Sequence, residues 1–96
     1  MSFIQVIDMY TKNFDEIQAL DKEWLQATDG KRTLRKAIIA RDRNHPSHYV
    51  VLTFFDSYES AMINSNLPET NEFGERQNAL LEGPMQFTDL DIIEER

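Results

Sequence analysis

Two stretches of this chain are apolar on both sides of an extended backbone, and that limits what it can fold into. Successive side chains of a strand point to opposite faces. From Phe3 to Thr11, Phe3, Ile7 and Met9 fall on one side and Ile4, Val6 and Tyr10 on the other, with Gln5 and Asp8 as the exceptions. From His48 to Phe55, Val50, Leu52 and Phe54 share one side and Tyr49, Val51 and Phe55 the other. A strand in a sheet with one wet face alternates apolar with polar residues. These two stretches therefore need cover front and back.

The intervening segments supply helices and two further strands. Asn13 with Glu16 has the spacing of a capping box, and Phe14, Ile17, Leu20, Trp24, Leu25 and Thr28 follow at helical period up to the stop at Gly30. Thr33 to Asp42 returns as a strand, and Asn44-His45-Pro46-Ser47 is a turn before the strand from His48. Asp56 with Glu59 repeats the capping spacing and opens a helix to about Asn64. Pro68 breaks that helix and suits the first position of a second piece, which runs to about Glu82 before Gly83-Pro84. Met85 to Ile93 forms the last strand, ahead of the charged tail Glu94-Glu95-Arg96.

The order βαββαβ predicts an α+β, ferredoxin-like antiparallel sheet within one domain over residues 1–96. Right-handed crossovers place the helices on one face, and the two doubly apolar strands become the central pair. The other face is left bare and hydrophobic. An exposed patch of that size calls for a cover, and a second copy of the same face is the economical two-fold answer. The expectation is a homodimer joined through the sheet. The second strand is basic (Arg35, Lys36, Arg41, Arg43) and the fourth, with its tail, acidic (Asp89, Asp91, Glu94, Glu95). Charged edges discourage stray pairing, and opposite signs would help set the register of two subunits.

Composition removes several functional classes. There is no cysteine, so disulfides, thiolate metal sites and thiol nucleophiles are out, in keeping with a reducing cytoplasm. The opening MSFIQVIDMY has neither a basic start nor a signal-length apolar run, and no stretch is long enough to span a membrane. A net charge of −7 opposes nucleic-acid binding, although six of the ten Lys and Arg residues lie between Lys31 and Arg43. No metal site is expected. His45 and His48 flank a turn without a third ligand in view, and read as a turn histidine and a solvent-facing strand histidine.

The run Val51-Leu52-Thr53-Phe54-Phe55-Asp56-Ser57-Tyr58-Glu59-Ser60-Ala61, continuing through Asn66 to Phe73, resembles the antibiotic-biosynthesis-monooxygenase-like domains of the dimeric α/β-barrel superfamily. The resemblance covers nearly the whole chain. It implies two sheets closing into a barrel with helices outside, and a ligand pocket between sheet and helices in each subunit. Some members are cofactor-independent oxygenases of polycyclic phenols or quinols, and others degrade haem. The haem-degrading members place an iron-ligating histidine near the position of Gln77, a tryptophan near Asn64, and an asparagine in the first strand, where this chain has none. Haem degradation is not expected, and neither is any other cofactor.

The residues placed to meet a small aromatic ligand are Trp24, on the apolar side of the first helix, and Asn64, Asn66 and Asn71 around the helix break, joined by Tyr10, Tyr49, Arg76 and Gln77. An indole stacks on flat ligands, and amides with a tyrosine hydroxyl can bind and orient a phenol or quinone oxygen. No catalytic base stands out. Three readings follow: a cofactor-free monooxygenase acting on a small phenol or quinol, a non-catalytic small-molecule binder, and a structural or stress-associated dimer whose pocket is filled by its own side chains. A cavity lined by Trp24 and the asparagines favours the first two.

Overall fold

A computed structural model describes residues 1–96. The elements are β1 (Phe3–Tyr10), α1 (Phe14–Ala27), β2 (Lys36–Arg41), β3 (His48–Phe55), α2 (Tyr58–Ser65), α3 (Pro68–Asn78) and β4 (Gln86–Asp91). The sheet order is β2-β3-β1-β4, and every neighbouring pair is antiparallel. This is the ferredoxin-like α+β fold, with the doubly apolar strands β1 and β3 at its centre.

Register decides which residues share a face. Phe3 pairs with Phe55, Ile7 with Val51 and with Phe87, and Ala37 with Thr53. The odd-numbered strand residues therefore lie together under the helices. The even-numbered set, including Val6, Val50, Leu52, Phe54, Ile38 and Leu90, lies on the face with no helix. Ile38 and Leu90 are exposed there, and the Lys36 ammonium stands 5.5 Å from the Phe54 ring centroid.

One cluster of buried apolar side chains closes the helix side at one end of the sheet. Phe3, Phe55 and Ala61 are buried against one another, with Leu34 and Met62 packed on them. Tyr58 closes on Phe3 edge-to-face at 5.6 Å. At the other end, Phe14 stacks on Tyr49 with the ring centroids 4.0 Å apart. Between these two plugs the helices stand off the sheet.

Both expected capping boxes shift. Asn13 makes no side-chain cap; buried Thr11 holds the turn instead, its Oγ1 accepting from the Asn13 amide at 2.9 Å and donating to the Leu80 carbonyl at 2.6 Å. At α2 the cap is Ser57, whose Oγ accepts from the Ser60 amide at 3.0 Å. Asp56 is taken by Arg35, whose Nε and Nη2 donate to Oδ2 at 3.0 and 2.7 Å. That pair lowers the Asp56 pKa and raises that of Arg35. A charged, two-bond partner wins over a neutral amide.

The second strand begins later than its apolar pattern suggests, because Thr33 is bound to α2: its amide donates to Asn64 Oδ1 at 3.1 Å and its hydroxyl to the Ser60 carbonyl. The helix break falls at Leu67-Pro68, with Pro68 at the start of α3. Gly30 and Gly83 are the two residues with positive φ, at 79° and 91°. Gly30 follows the last turn of α1, whereas α3 ends at Asn78, short of the expected Glu82, because the chain passes through a turn there, and Gly83 lies in the bend that leads to β4.

Candidate functional site

The space between the sheet and the helices is a cavity of about 520 Å³, lined by 23 residues. Its floor is the odd-numbered face of the sheet, with Ile7, Met9, Val51 and Thr53 in the middle. Its roof is α1 on one side and α3 on the other. It reaches both sheet edges, where Ile39 and Phe87 line it and are themselves exposed.

Aromatic rings form one wall. Trp24 is buried on α1, and its ring lies 6.1 Å from that of Phe73 on α3, tilted by 34°. The indole N–H donates to Thr70 Oγ1 at 2.9 Å, which fixes the ring plane and ties α1 to α3. Thr28 Oγ1 donates to the Trp24 carbonyl at 2.7 Å, so the last turn of α1 is held as well.

Three polar side chains approach from the other elements. Asn64, 7 % exposed, uses its carbonyl oxygen for the Thr33 amide, and its amide nitrogen has no protein acceptor. Gln77, also 7 % exposed, places its amide nitrogen 3.9 Å from Met9 Sδ and has no protein partner for its oxygen. Gln5 reaches along the floor to Asp89 Oδ1 at 3.0 Å. Buried amides with spare hydrogen-bonding capacity are where a ligand's polar atoms find partners.

Asp21 is the one ionisable residue in the wall. It makes no hydrogen bond or ion pair within the chain. Burial raises its pKa above the usual carboxylate value, and the charge of Arg32 opposes that rise. Arg32 itself donates to the carbonyl of Leu25 at 2.7 Å at the end of α1.

Of the residues the sequence points to, Trp24, Asn64 and Gln77 come together in this wall. Tyr49 sits beside it, stacked on the wall residue Phe14. Asn66 caps the end of α2, and Asn71 is exposed in a shallow groove beside Gly83. Arg76 is exposed and pairs with Glu23 at 3.3 Å. Tyr10 lies on the opposite face of the sheet. Sequence reasoning missed Asp21, Thr70 and Gln5. For Asp21 a signal exists: it stands four residues after Ile17 and three before Trp24, an acid in the helix's apolar stripe.

The opposite face holds a second polar group of side chains. His48 is not the solvent-facing histidine that its place after the turn suggests. Its Nδ1 lies 2.9 Å from Asp42 Oδ2 and its Nε2 2.8 Å from Asp8 Oδ1, and the Tyr10 ring stacks on it at 4.6 Å. The side chain is only 16 % exposed. Hydrogen bonds donated to the Asp42 and Asp8 carboxylates raise its pKa, so the ring carries a proton more readily than a free histidine. The strand register explains the arrangement: Asp8 pairs with Val50, which makes Asp8 and His48 diagonal neighbours on one face. His45 stays in the turn, with its Nδ1 3.4 Å from Asp42. No group of three or more side chains is arranged to hold a metal ion.

Comparison with known proteins matches the fold. The chain is similar to SnoaB, a cofactor-independent oxygenase from Streptomyces nogalater solved as an asparagine-to-alanine variant, with a TM-score of 0.82 at 9 % identity over 98 % of this chain and 95 % of that one. It is similar to Rv0793 from Mycobacterium tuberculosis, with a TM-score of 0.80 at 13 % identity over 99 % and 98 %. It is similar as well to a structure described as an antibiotic biosynthesis monooxygenase, with a TM-score of 0.77 at 14 % identity over 96 % and 99 %. No protein-family model matches the chain, and no curated protein matches it in sequence. At these identities the likeness is one of fold. No helix is long and apolar enough to cross a membrane.

Proposed function

We propose that this chain is a cofactor-independent monooxygenase of small phenols or quinols, acting in the cytoplasm as a homodimer joined through the bare face of the sheet. The observation that carries the reading is the cavity. About 520 Å³ is within the range of small-molecule sites, and a mostly apolar lining with a few buried polar groups is their usual chemistry. Trp24 and Phe73 offer faces to a flat ring system, and Asn64 and Gln77 offer hydrogen bonds to its oxygens. The fold shared with SnoaB, named as a cofactor-independent oxygenase, supports the same chemistry.

In that reaction a phenol and dioxygen become a quinone and water. The ring hydroxyl loses its proton, one ring carbon exchanges its hydrogen for a carbonyl oxygen, and the second oxygen atom leaves as water. The protein's part is to bind the ring, exclude solvent and manage the proton.

The dimer is supported by the bare face. Burying three or four of its large side chains is worth on the order of 5–10 kcal/mol before association costs. Basic β2 and acidic β4 sit at opposite edges of the sheet, as charge-steered two-fold pairing requires.

Oxygen uptake with a panel of phenols and hydroquinones, without added metal or cofactor, tests the reaction. The expected result is consumption of dioxygen with quinone formed and no hydrogen peroxide. Tight binding of the panel without uptake leaves the second reading, a non-catalytic binding protein, which the mostly apolar lining of the cavity equally supports.

A further inference from the structure

We propose that Asp21 is the group that receives the hydroxyl hydrogen of an aromatic ligand in this cavity, and so sets the preference for phenols over otherwise identical aromatics. The proposal rests on the reading of the cavity as an aromatic-ligand site and adds its polar anchor.

The first reason is position. On α1, Ile17, Asp21 and Trp24 follow at spacings of four and three, which puts them on one side of the helix. Ile17 and Trp24 are buried, and all three line the cavity. Asp21 thus occupies the slot that an amphipathic helix normally fills with an aliphatic residue. Burying a carboxylate without a partner is costly, and Asp21, which is half-buried, makes neither a hydrogen bond nor an ion pair within the chain. A ligand hydroxyl next to Trp24 would supply one.

The second reason is that no other wall residue can do this. The wall contains no histidine, tyrosine, lysine, arginine or glutamate. Its amides at Gln5, Gln18, Asn64 and Gln77 are neutral, and they can bind an oxygen but cannot take a proton from it at ordinary pH.

The surrounding charges leave Asp21 free. Arg32, in the stretch after α1, acts on it from a distance while its own guanidinium donates to the Leu25 carbonyl. Across on α3, Glu69 is paired with Lys31 at 2.7 Å and Arg76 with Glu23 at 3.3 Å, and Glu72 and Glu75 are exposed. On the helix face of the sheet, Asp89 is held by Gln5, and Arg41 and Asp91 are exposed at the edges. Burial keeps the carboxyl a stronger base than a solvated aspartate, which suits it to accept a proton. In the transfer the ligand O–H bond breaks, an O–H bond forms on the carboxylate, and the ring oxygen keeps the electron pair. The ring becomes electron-rich, which is the form that dioxygen oxidises.

The test is calorimetric titration with 1-naphthol and its methyl ether at neutral pH, on the wild type, Asp21→Leu and Asp21→Asn. A hydrogen bond to a charged group corresponds to a preference for naphthol of about ten- to a hundredfold. Asp21→Leu is expected to bind the two equally, and Asp21→Asn, which keeps the shape without the charge, to show a reduced preference that no longer varies with pH. In the wild type the preference should fall as acid protonates Asp21. A wild type that binds both probes equally, or an Asp21→Leu or Asp21→Asn variant that keeps the full preference and its pH dependence, overturns the assignment and leaves the cavity reading intact. A wild type that binds neither probe overturns both.

Discussion

The two faces of the sheet are built from the same strands and yet differ in kind. The helix face has cover that does not fill it: the helices are pinned at the ends by Phe3–Phe55–Ala61 and by Phe14–Tyr49, and a cavity opens between. The bare face has no cover at all, and its centre is aliphatic and aromatic. Ionisable groups are distributed in opposite ways. In the cavity wall of the helix face Asp21 is the one ionisable group and has no partner within the chain, and burial raises its pKa. On the bare face Asp8, His48 and Asp42 satisfy one another at one corner and leave the centre free of charge. A face that keeps an unpartnered acid beside an empty space is suited to a ligand, whereas one that gathers its hydrogen-bonded acids and histidine at a corner, away from an apolar centre, is suited to another surface.

The largest expected effect comes from breaking the plug that separates cavity from core. Phe55→Ala removes a buried ring from the cluster with Phe3 and Ala61 and should lower stability by about 3–5 kcal/mol, measured by urea unfolding. A loss below about 1 kcal/mol would mean that this end of the helix face is no firmer than the cavity beside it.

Next in size is a charge on the bare face. Leu52→Asp should weaken self-association by at least about a hundredfold, because an unpaired carboxylate buried between two sheets costs several kcal/mol. Sedimentation equilibrium measures it, and cavity ligands should bind the resulting monomer. If the unaltered chain sediments as a monomer at micromolar concentration, the bare face is simply wet and the contrast between the faces disappears.

A smaller effect is expected at the aromatic wall. Thr70→Val removes the acceptor of the Trp24 indole at nearly constant volume and should cost about 1 kcal/mol. Since Trp24 is the only tryptophan in the chain, its fluorescence reports the change directly. An unchanged emission spectrum would show that the ring is held by packing alone.

The smallest effect is expected on the bare face and depends on pH. The folded pKa of His48 lies above its ordinary value of 6.5. Its contribution to stability is therefore complete below that value and fades as pH rises through the folded pKa. His48→Gln should flatten the stability profile over that interval, and Asp21→Asn should leave it unchanged. Equal flattening by both would show that the corner cluster is not the source.

Much of the fold can be read from the chain because its rules are short-range. Alternation identifies β1 and β3 as strands apolar on both sides, and Pro68 and Gly30 place helix ends where the backbone needs them. The candidate site is legible only in part. Trp24 shows in the helical period, and Asn64 and Gln77 follow from the break and the piece after it. Tyr10 has the same residue type as Tyr49, but an odd or even position in a strand sends the two rings to opposite faces.

What the chain decides alone is the sequence of elements and the two-sided apolarity of β1 and β3, since each depends on residues within a few positions of one another. The central pair and the bare face follow from that order through the general handedness of crossovers. What only the assembled structure decides is which polar groups find partners. Asp56 leaves its helix cap for Arg35, 21 residues away, and His48 reaches Asp8 across 40 residues through the register of two strands. Asp21 is left with none. Hydrogen-bond partners are chosen by distance in space among all the groups that the sheet and helices bring together, and local sequence carries no record of that competition.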